Sequence, residues 1–241
     1  MTGKEIVCLI IPTIGRLSSL LNTIKSFQAS SYKATAVIVI VDDGRIEYFR
    51  DVKNLIAGHK LKNVFLFYNP QRHGWPRSMN KVLKASDFDL YFYGSDDLTF
   101  FKNTIKNAVG FMHDYFSDGD GLIGINQNLT QFCPAAFGLV GRKFVDRFPE
   151  RQLFFPHYVH FCGDSELWHF AKSIDKFKFC PTARVFHDRP RDAGKKLAQT
   201  SLRRDRELWW KKKGKASLYW GNSFLKPAQF ANEKPCRTWN R

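Results

Sequence analysis

The chain has 241 residues, enough for one α/β domain of ordinary size, and long enough to fold without disulfides or a structural metal. Apolar residues make up 44% and charged residues 25%, which excludes a disordered chain, while 38 Lys/Arg against 22 Asp/Glu give a net charge of +16. Five cysteines with no C-x-x-C pair argue against a secreted disulfide scaffold and a zinc site, and apolar runs no longer than Ile6–Ile11 or Ala36–Val41 exclude a membrane span.

Ile6–Ile11 is short and β-branched and reads as a buried strand closed by Pro12. Leu17, Leu20, Leu21, Ile24 and Phe27 then recur at helical spacing, predicting an amphipathic helix over 16–29. Ala36–Val41 is a second buried strand, ending at Asp42-Asp43-Gly44. A weaker helix over 47–57, a strand Asn63–Tyr68 and a helix over 77–86 follow, the last facing inward with Met79, Val82 and Leu83. Leu90–Tyr93 is a fourth strand, ending at Gly94-Ser95-Asp96-Asp97, with a helix near 101–116 behind it.

This alternation of continuous apolar strands and helices marks a mainly parallel sheet covered on both faces. Ligands of such sheets sit outside the carboxyl ends of the strands, where Thr13–Arg16, Asp42–Gly44 and Ser95–Asp97 fall. The second half is less regular. Gly121–Ile125 and Phe137–Val140 read as strands, Asp164–Ile174 as a helix, Phe177–Phe179 and Ala183–Phe186 as short strands around Pro181, and 201–213 as a helix. The expected organisation is one α/β domain over 1–188, with a basic extension, 189–241, packed on it. The N-terminus carries no signal-peptide pattern, so a cytoplasmic protein is expected.

The strand ends lack a G-x-G-x-x-G fingerprint, a P-loop and a G-x-S-x-G elbow. They carry two acidic pairs instead, Asp42-Asp43 and Asp96-Asp97. Adjacent carboxylates at a sheet mouth repel unless a cation joins them, and Mg²⁺ or Mn²⁺ bridging to phosphates is the usual occupant. A turn or a helix cap is the structural alternative for each pair.

In order along the chain, Ile11-Pro12-Thr13-Ile14-Gly15-Arg16, Val41-Asp42-Asp43-Gly44, Asn69 to Gly74 followed by Met79-Asn80, Ser95-Asp96-Asp97, Gly163-Asp164-Ser165-Glu166-Leu167 and Val185-Phe186-His187 resemble the successive motifs of family 2 glycosyltransferases of the GT-A fold. The resemblance covers about residues 5–188. It implies an inverting transfer from a nucleotide-sugar, a UDP-sugar by preference, to a hydroxyl acceptor. It places Pro12, Thr13, Arg16, Asp42, Asp43, Asn80 and Ser95 around the donor, and Asp97, Asp96 and His187 at a Mn²⁺ or Mg²⁺ ion. It assigns the general base to Asp164. The sequence departs from the pattern where the first acid of Asp-x-Asp is replaced, so either Asp96 or Asp97 could be the direct ligand; Asp97 is favoured, with Asp96 near the ribose or sugar. Arg72 and Arg77 join Arg16 as candidates for phosphate or acceptor contacts. Asp205–Gly214 is more faintly similar to the segment that closes over the nucleotide in many members.

The charge addresses the acceptor. Residues 189–241 hold 15 Lys/Arg against 4 Asp/Glu, net +11, and Arg203, Arg204, Arg206, Lys211, Lys212 and Lys213 lie close together. Such an end favours a polyanion. Three readings follow: transfer to a hydroxylated pyrimidine of duplex DNA, as in bacteriophage members of the family; transfer to an envelope polysaccharide or lipid-linked glycan at an anionic membrane face; or a non-catalytic nucleic-acid binder on the same scaffold. The first is preferred on charge. Retention of Asp97, Asp164 and His187 together opposes the third.

Overall fold

Eight strands form one curled sheet in the computed structural model, which describes residues 5–127, 133–190 and 192–213. The strands are β1 (Val7–Thr13), β2 (Thr35–Val41), β3 (Val64–Tyr68), β4 (Leu90–Tyr93), β5 (Leu98–Phe100), β6 (Leu122–Asn126), β7 (Gly138–Gly141) and β8 (Phe177–His187). The helices are α1 (Leu17–Gln28), α2 (Ile46–Gly58), α3 (Trp75–Ala85), α4 (Thr104–Tyr115), α5 (Arg142–Val145), α6 (Gly163–Ser173), α7 (Ala193–Gln199) and α8 (Leu202–Lys213). The sheet order is β3-β2-β1-β4-β7-β6-β8-β5. The first four strands are mutually parallel, β7 runs against β4 and β6, and β8 lies parallel to β6.

The alternation of inward positions sorts the core onto two faces. Val7, Leu9 and Ile11 pack with Leu20, Ile24 and Phe27 of α1 and with Ile105, Ala108 and Met112 of α4. Cys8 and Ile10 pack on the other face with Met79, Val82 and Leu83 of α3 and with Leu167, Phe170 and Ala171 of α6. The mainly parallel α/β sheet expected from the sequence is therefore present.

Two details differ from the sequence reading, and both shape the mouth of the sheet. Pro12 does not end β1; it lies within it, in register with Ile40. The Ile10 carbonyl accepts from the Gly94 N–H, so Ile10 and, two residues on, Pro12 turn their backbone groups toward β4. Pairing with β4 has ended at Ile10↔Tyr93, so the missing proline N–H breaks no ladder bond. The two short pieces around Pro181 are one strand, β8, in which a register shift moves the partner of Asn126 to Arg184. The bulge absorbs Pro181 and carries the strand onward to β5. The β5–β8 register sets Leu98 opposite His187, which brings the histidine beside Asp97.

Asp120, just before β6, ties the edges of the second half together. It is buried, and its carboxylate receives the Arg147 fork and, at 3.0 Å, the Lys176 ammonium. Burial alone would raise this carboxyl; the two cations outweigh it and hold it below the usual range. A depressed folded-state pKa stabilises the fold above the unfolded carboxyl value of about 3.9, and that stabilisation is lost as the pH falls through the folded value. Asp120→Asn is thus expected to cost about 3 kcal/mol at pH 7, and the gap to wild type should narrow in denaturation curves taken at pH values falling below the ordinary carboxylate range.

Among the described residues, no helix is long and apolar enough to cross a membrane. Cys8, Cys133, Cys162 and Cys180 are buried free thiols. Residues 214–241, with Cys236 and the aromatic end of the basic extension, lie outside the described residues.

Candidate active site

Four connections converge at the carboxyl ends of β1, β2, β3 and β4. The Asp42 carboxylate is spent internally. Its Oδ1 accepts from Asn69 Nδ2 (2.9 Å) and the His73 N–H (2.8 Å), and its Oδ2 accepts from the Gly74 N–H (2.8 Å). These bonds shape the turn before α3. Gly74 has φ +88°, and a Cβ there would lie 2.3 Å from the Val159 carbonyl oxygen, so only glycine lets the two loops touch. Asp43 instead faces a cleft of about 360 Å³, lined by Ile14, Gly15, Asp43, Arg45 and Arg72 on one side and Asp192, Ala193, Gly194 and Leu197 on the other. Arg45 Nη2 donates to Asp43 Oδ2 at 2.6 Å. Arg72 Nε is buried with no hydrogen-bond partner among the described residues, and its guanidinium lines the cleft wall.

Thr13, Arg16, Ser95, Asp96, Asp97 and His187 form a single network beside this cleft. Thr13 Oγ1 donates to Asp96 Oδ2 at 2.7 Å, and Arg16 Nη1 lies 3.0 Å from Asp96 Oδ1 and 3.4 Å from Asp97 Oδ2. Arg16 Nε and Nη2 also reach Asp192 Oδ2 and Oδ1, at 2.6 and 2.8 Å. Desolvation raises the Asp96 carboxyl to about 6, against the pull of Arg16 and Thr13. Asp97 goes the other way. Burial opposes its ionisation, but His187, Ser95 and Arg16 prevail and hold it at about 2. His187 Nε2 lies 3.3 Å from Asp97 Oδ1, and its Nδ1 accepts from Arg189 Nε at 3.0 Å, the arrangement of an Nε2–H tautomer; to hold an ion through Nε2 the ring must carry its proton on Nδ1 instead and give up the Arg189 bond.

Asp97 and His187 are therefore the residues fitted to hold a divalent ion: an ionised carboxylate and an imidazole, side by side at a strand end. Among the described residues, no group of three or more His, Cys, Asp or Glu side chains is gathered for a cation. The remaining ligands would come from a bound diphosphate. Asp96 is committed to Thr13 and Arg16, and Pro12 enters through its place in β1.

Asp164 stands in the first turn of α6, directly after the loop that α3 ties to the end of β4. Cys162 takes a left-handed conformation (φ 73°) and turns the chain into α6, with Asp164 in the first turn. Burial raises the Asp164 carboxyl, while hydrogen bonding to the Ser165 N–H pulls it down. The positive helix end also favours the ionised form. Trp75 ties this loop to the sheet: its N–H donates to the Val159 carbonyl (2.9 Å), its Nε1 to the Gly94 carbonyl (3.2 Å), and its ring meets Phe154 edge-on at 4.5 Å. Asn80 serves the same loop from α3, bonding the Phe154 carbonyl at 2.5 Å and its N–H at 2.9 Å. Arg77 Nε is likewise spent on the Pro156 carbonyl, at 2.6 Å.

The basic extension divides. Arg203, paired with Glu207 at 2.9 Å, and Arg204 and Lys211 are exposed on α8, while Arg206 is half-buried. Lys212 departs from the expected phosphate-binding face. Its ammonium is buried against Glu166 and lies 3.3 Å from the Phe155 ring centroid, so it holds α8 to α6. The Lys213 side chain lies outside the described residues.

Sequence reasoning missed Tyr48 and Asp192. The Tyr48 hydroxyl bonds Thr13 Oγ1 and accepts from the Arg16 N–H, both at 2.9 Å, and burial keeps it protonated, with a pKa near 12. Its position on a weak helix gave no signal. Asp192 caps α7 by accepting from the Lys195 N–H at 2.9 Å, and Asp-Ala-Gly before a helix former was a legible cap.

A cleft with a carboxylate–histidine pair beside it lies at the mouth of this curled, mainly parallel sheet, and solved structures of glycosyltransferases share the GT-A fold. A mannosyltransferase from Pyrobaculum calidifontis, in complex with GDP-Man and Mn²⁺, superposes with a TM-score of 0.64 at 14% identity, over 87% of this chain and 65% of that one. S. aureus TarS 1–349 matches at 0.58 and 12% identity, over 75% of this chain and 60% of that one. GalNAc-T7 with UDP, GalNAc and Mn²⁺ matches at 0.64 and 12% identity, over 78% and 44%. The chain thus spans less than two thirds of the length of each. No curated protein matches it. Residues 8–166 match the glycosyl transferase family 2 model, and the chain belongs to that family.

Proposed function

We propose that the chain is an inverting, metal-dependent glycosyltransferase that moves a sugar from a nucleotide-sugar, preferentially a UDP-sugar, to a hydroxylated pyrimidine of duplex DNA. The observation that carries the enzymatic reading is the pairing of ionised Asp97 with His187 beside a cleft walled by Arg72 and Arg45. The neighbouring structures with Mn²⁺ and GDP-Man, or with UDP and GalNAc, support it.

The reaction needs three things from these residues. Asp97 and His187 would hold Mn²⁺ or Mg²⁺, which supplies charge neutralisation for the departing diphosphate. Arg72 offers its Nε–H to a phosphate oxygen, and Asp43 faces the nucleoside end of the same cleft. Asp164 takes the acceptor hydroxyl proton as the acceptor oxygen bonds to the anomeric carbon and the carbon–phosphate oxygen bond breaks, releasing the nucleoside diphosphate. Attack opposite the leaving group inverts the anomeric centre.

The acceptor reading rests on the net +11 of residues 189–241. If α8 faces phosphate, log affinity for duplex should fall against log salt with a slope of about −0.9 per phosphate contacted. Arg204→Ala and Lys211→Ala should each flatten that slope by about one unit without changing base preference. Binding and sugar transfer on hydroxylated against unmodified duplex across a salt series test this. Salt-insensitive binding, or transfer to a glycan but not to hydroxylated DNA, would overturn the DNA acceptor and leave the glycan reading.

A further inference from the structure

Asp205 lies outside the matched family region, yet its carboxylate is fully buried and wholly used. Oδ1 accepts from the Val159 N–H at 3.0 Å, and Oδ2 accepts from the His160 and Phe161 N–H groups, each at 2.9 Å. Three successive N–H groups make a concave anion site of the kind that usually receives a ligand. Here α8 fills it from within the chain, across 44–46 residues of sequence. The segment it grips ends one residue before the left-handed Cys162, where the chain turns into Gly163 and Asp164. On its other side the same segment is the point of contact with the donor half: the Val159 carbonyl receives the Trp75 N–H, and Gly74, itself bonded to Asp42, packs against it.

We infer that Asp205 is a positioning residue for the transfer step, holding the 159–161 turn so that Asp164 is presented to the acceptor side of the cleft. The inference rests on Asp164 being the base. Helix α8 is anchored independently of this carboxylate, by Trp209 packed with Tyr158 and Cys162 and by the Lys212–Glu166 ion pair. Removing the Asp205 charge should therefore loosen the turn while leaving the helix docked. Without an acceptor for each N–H, the turn loses the bonds that fix its shape, because a buried donor left unpaired seeks another arrangement.

The test is Asp205→Asn in the full chain, followed by hydrogen exchange over 158–164 and over α8, and by steady-state turnover. The donor is whichever of UDP-glucose, UDP-N-acetylglucosamine or GDP-mannose the wild type turns over, with water as acceptor. Exchange should quicken across 158–164 but not across α8, and kcat should fall about tenfold or more with donor KM changed less than twofold. Unchanged exchange at 158–164, unchanged kcat, or a loss that appears equally in donor KM would overturn the inference. Failure of the base reading would look different: Asp164→Asn would keep full turnover while Asp205→Asn still loosened the turn.

Discussion

Asp164→Asn is expected to bind donor as the wild type does and to lose roughly 10²–10⁴-fold in kcat. The amide matches the carboxylate in size and still accepts from the Ser165 N–H, so the start of α6 should survive. What it cannot do is take the proton of the acceptor hydroxyl. The position also predicts a pH profile. Burial raises this carboxyl above the ordinary range, and the base must be ionised to act. Turnover should therefore fall on the acid side at a higher pH than for an exposed aspartate, and that limb should vanish in the variant. Equal loss of donor affinity would instead make Asp164 a donor-site residue.

Asp97→Asn is expected to fail earlier in the cycle. The wild-type carboxylate is ionised down to a pKa of about 2, held there by His187, Ser95 and Arg16. The amide removes the charge that would pair with a divalent ion and leaves His187 Nε2 facing a weaker acceptor. Charge stabilisation of a leaving diphosphate by a bound ion is worth several kcal/mol, on the order of 10³-fold in rate. Nucleotide affinity should fall with it, and added Mn²⁺ should not restore either. The two variants thus separate in kind: Asp164→Asn loses turnover with binding kept, and Asp97→Asn loses both. Full activity of Asp97→Asn, or activity that survives complete chelation, would remove the ion from the account.

The inner strands of the parallel half, β1, β2 and β4, were readable because each is buried on both faces and so is written as an unbroken apolar run. β1, β2 and β4 lie within a residue or two of their expected bounds for that reason. β8 was not readable as one strand, because Pro181 looks like a terminator in sequence and only the bulge against β6 shows that it is not. β5 is three residues long, too short for any periodicity. The site shows the same division. Residues at strand ends, Thr13, Arg16, Ser95, Asp96, Asp97 and His187, were legible and meet in one network. The division of labour within each acidic pair was not. Asp42 turns inward to hold the 73–74 turn while Asp43 faces the cleft, and Asp96 is spent on Thr13 and Arg16 while Asp97 meets His187. Adjacent side chains at a strand end point to opposite sides, and which side is solvent depends on loops that arrive from elsewhere in the chain. Lys212 was misread for a related reason. A lysine run looks like a solvated face, and only the docking of α8 on α6 reveals that Lys212 points inward.

The central claim is that the cleft beside Asp97 and His187 takes a nucleoside diphosphate together with a divalent ion. Calorimetric titration of UDP, and separately of GDP, into the full chain tests it without knowledge of the acceptor. One of the two nucleotides should bind in the presence of Mn²⁺, and that binding should disappear in EDTA and in Asp97→Asn. Binding of equal strength in EDTA or in Asp97→Asn, or no binding of either nucleotide with Mn²⁺ present, would contradict it.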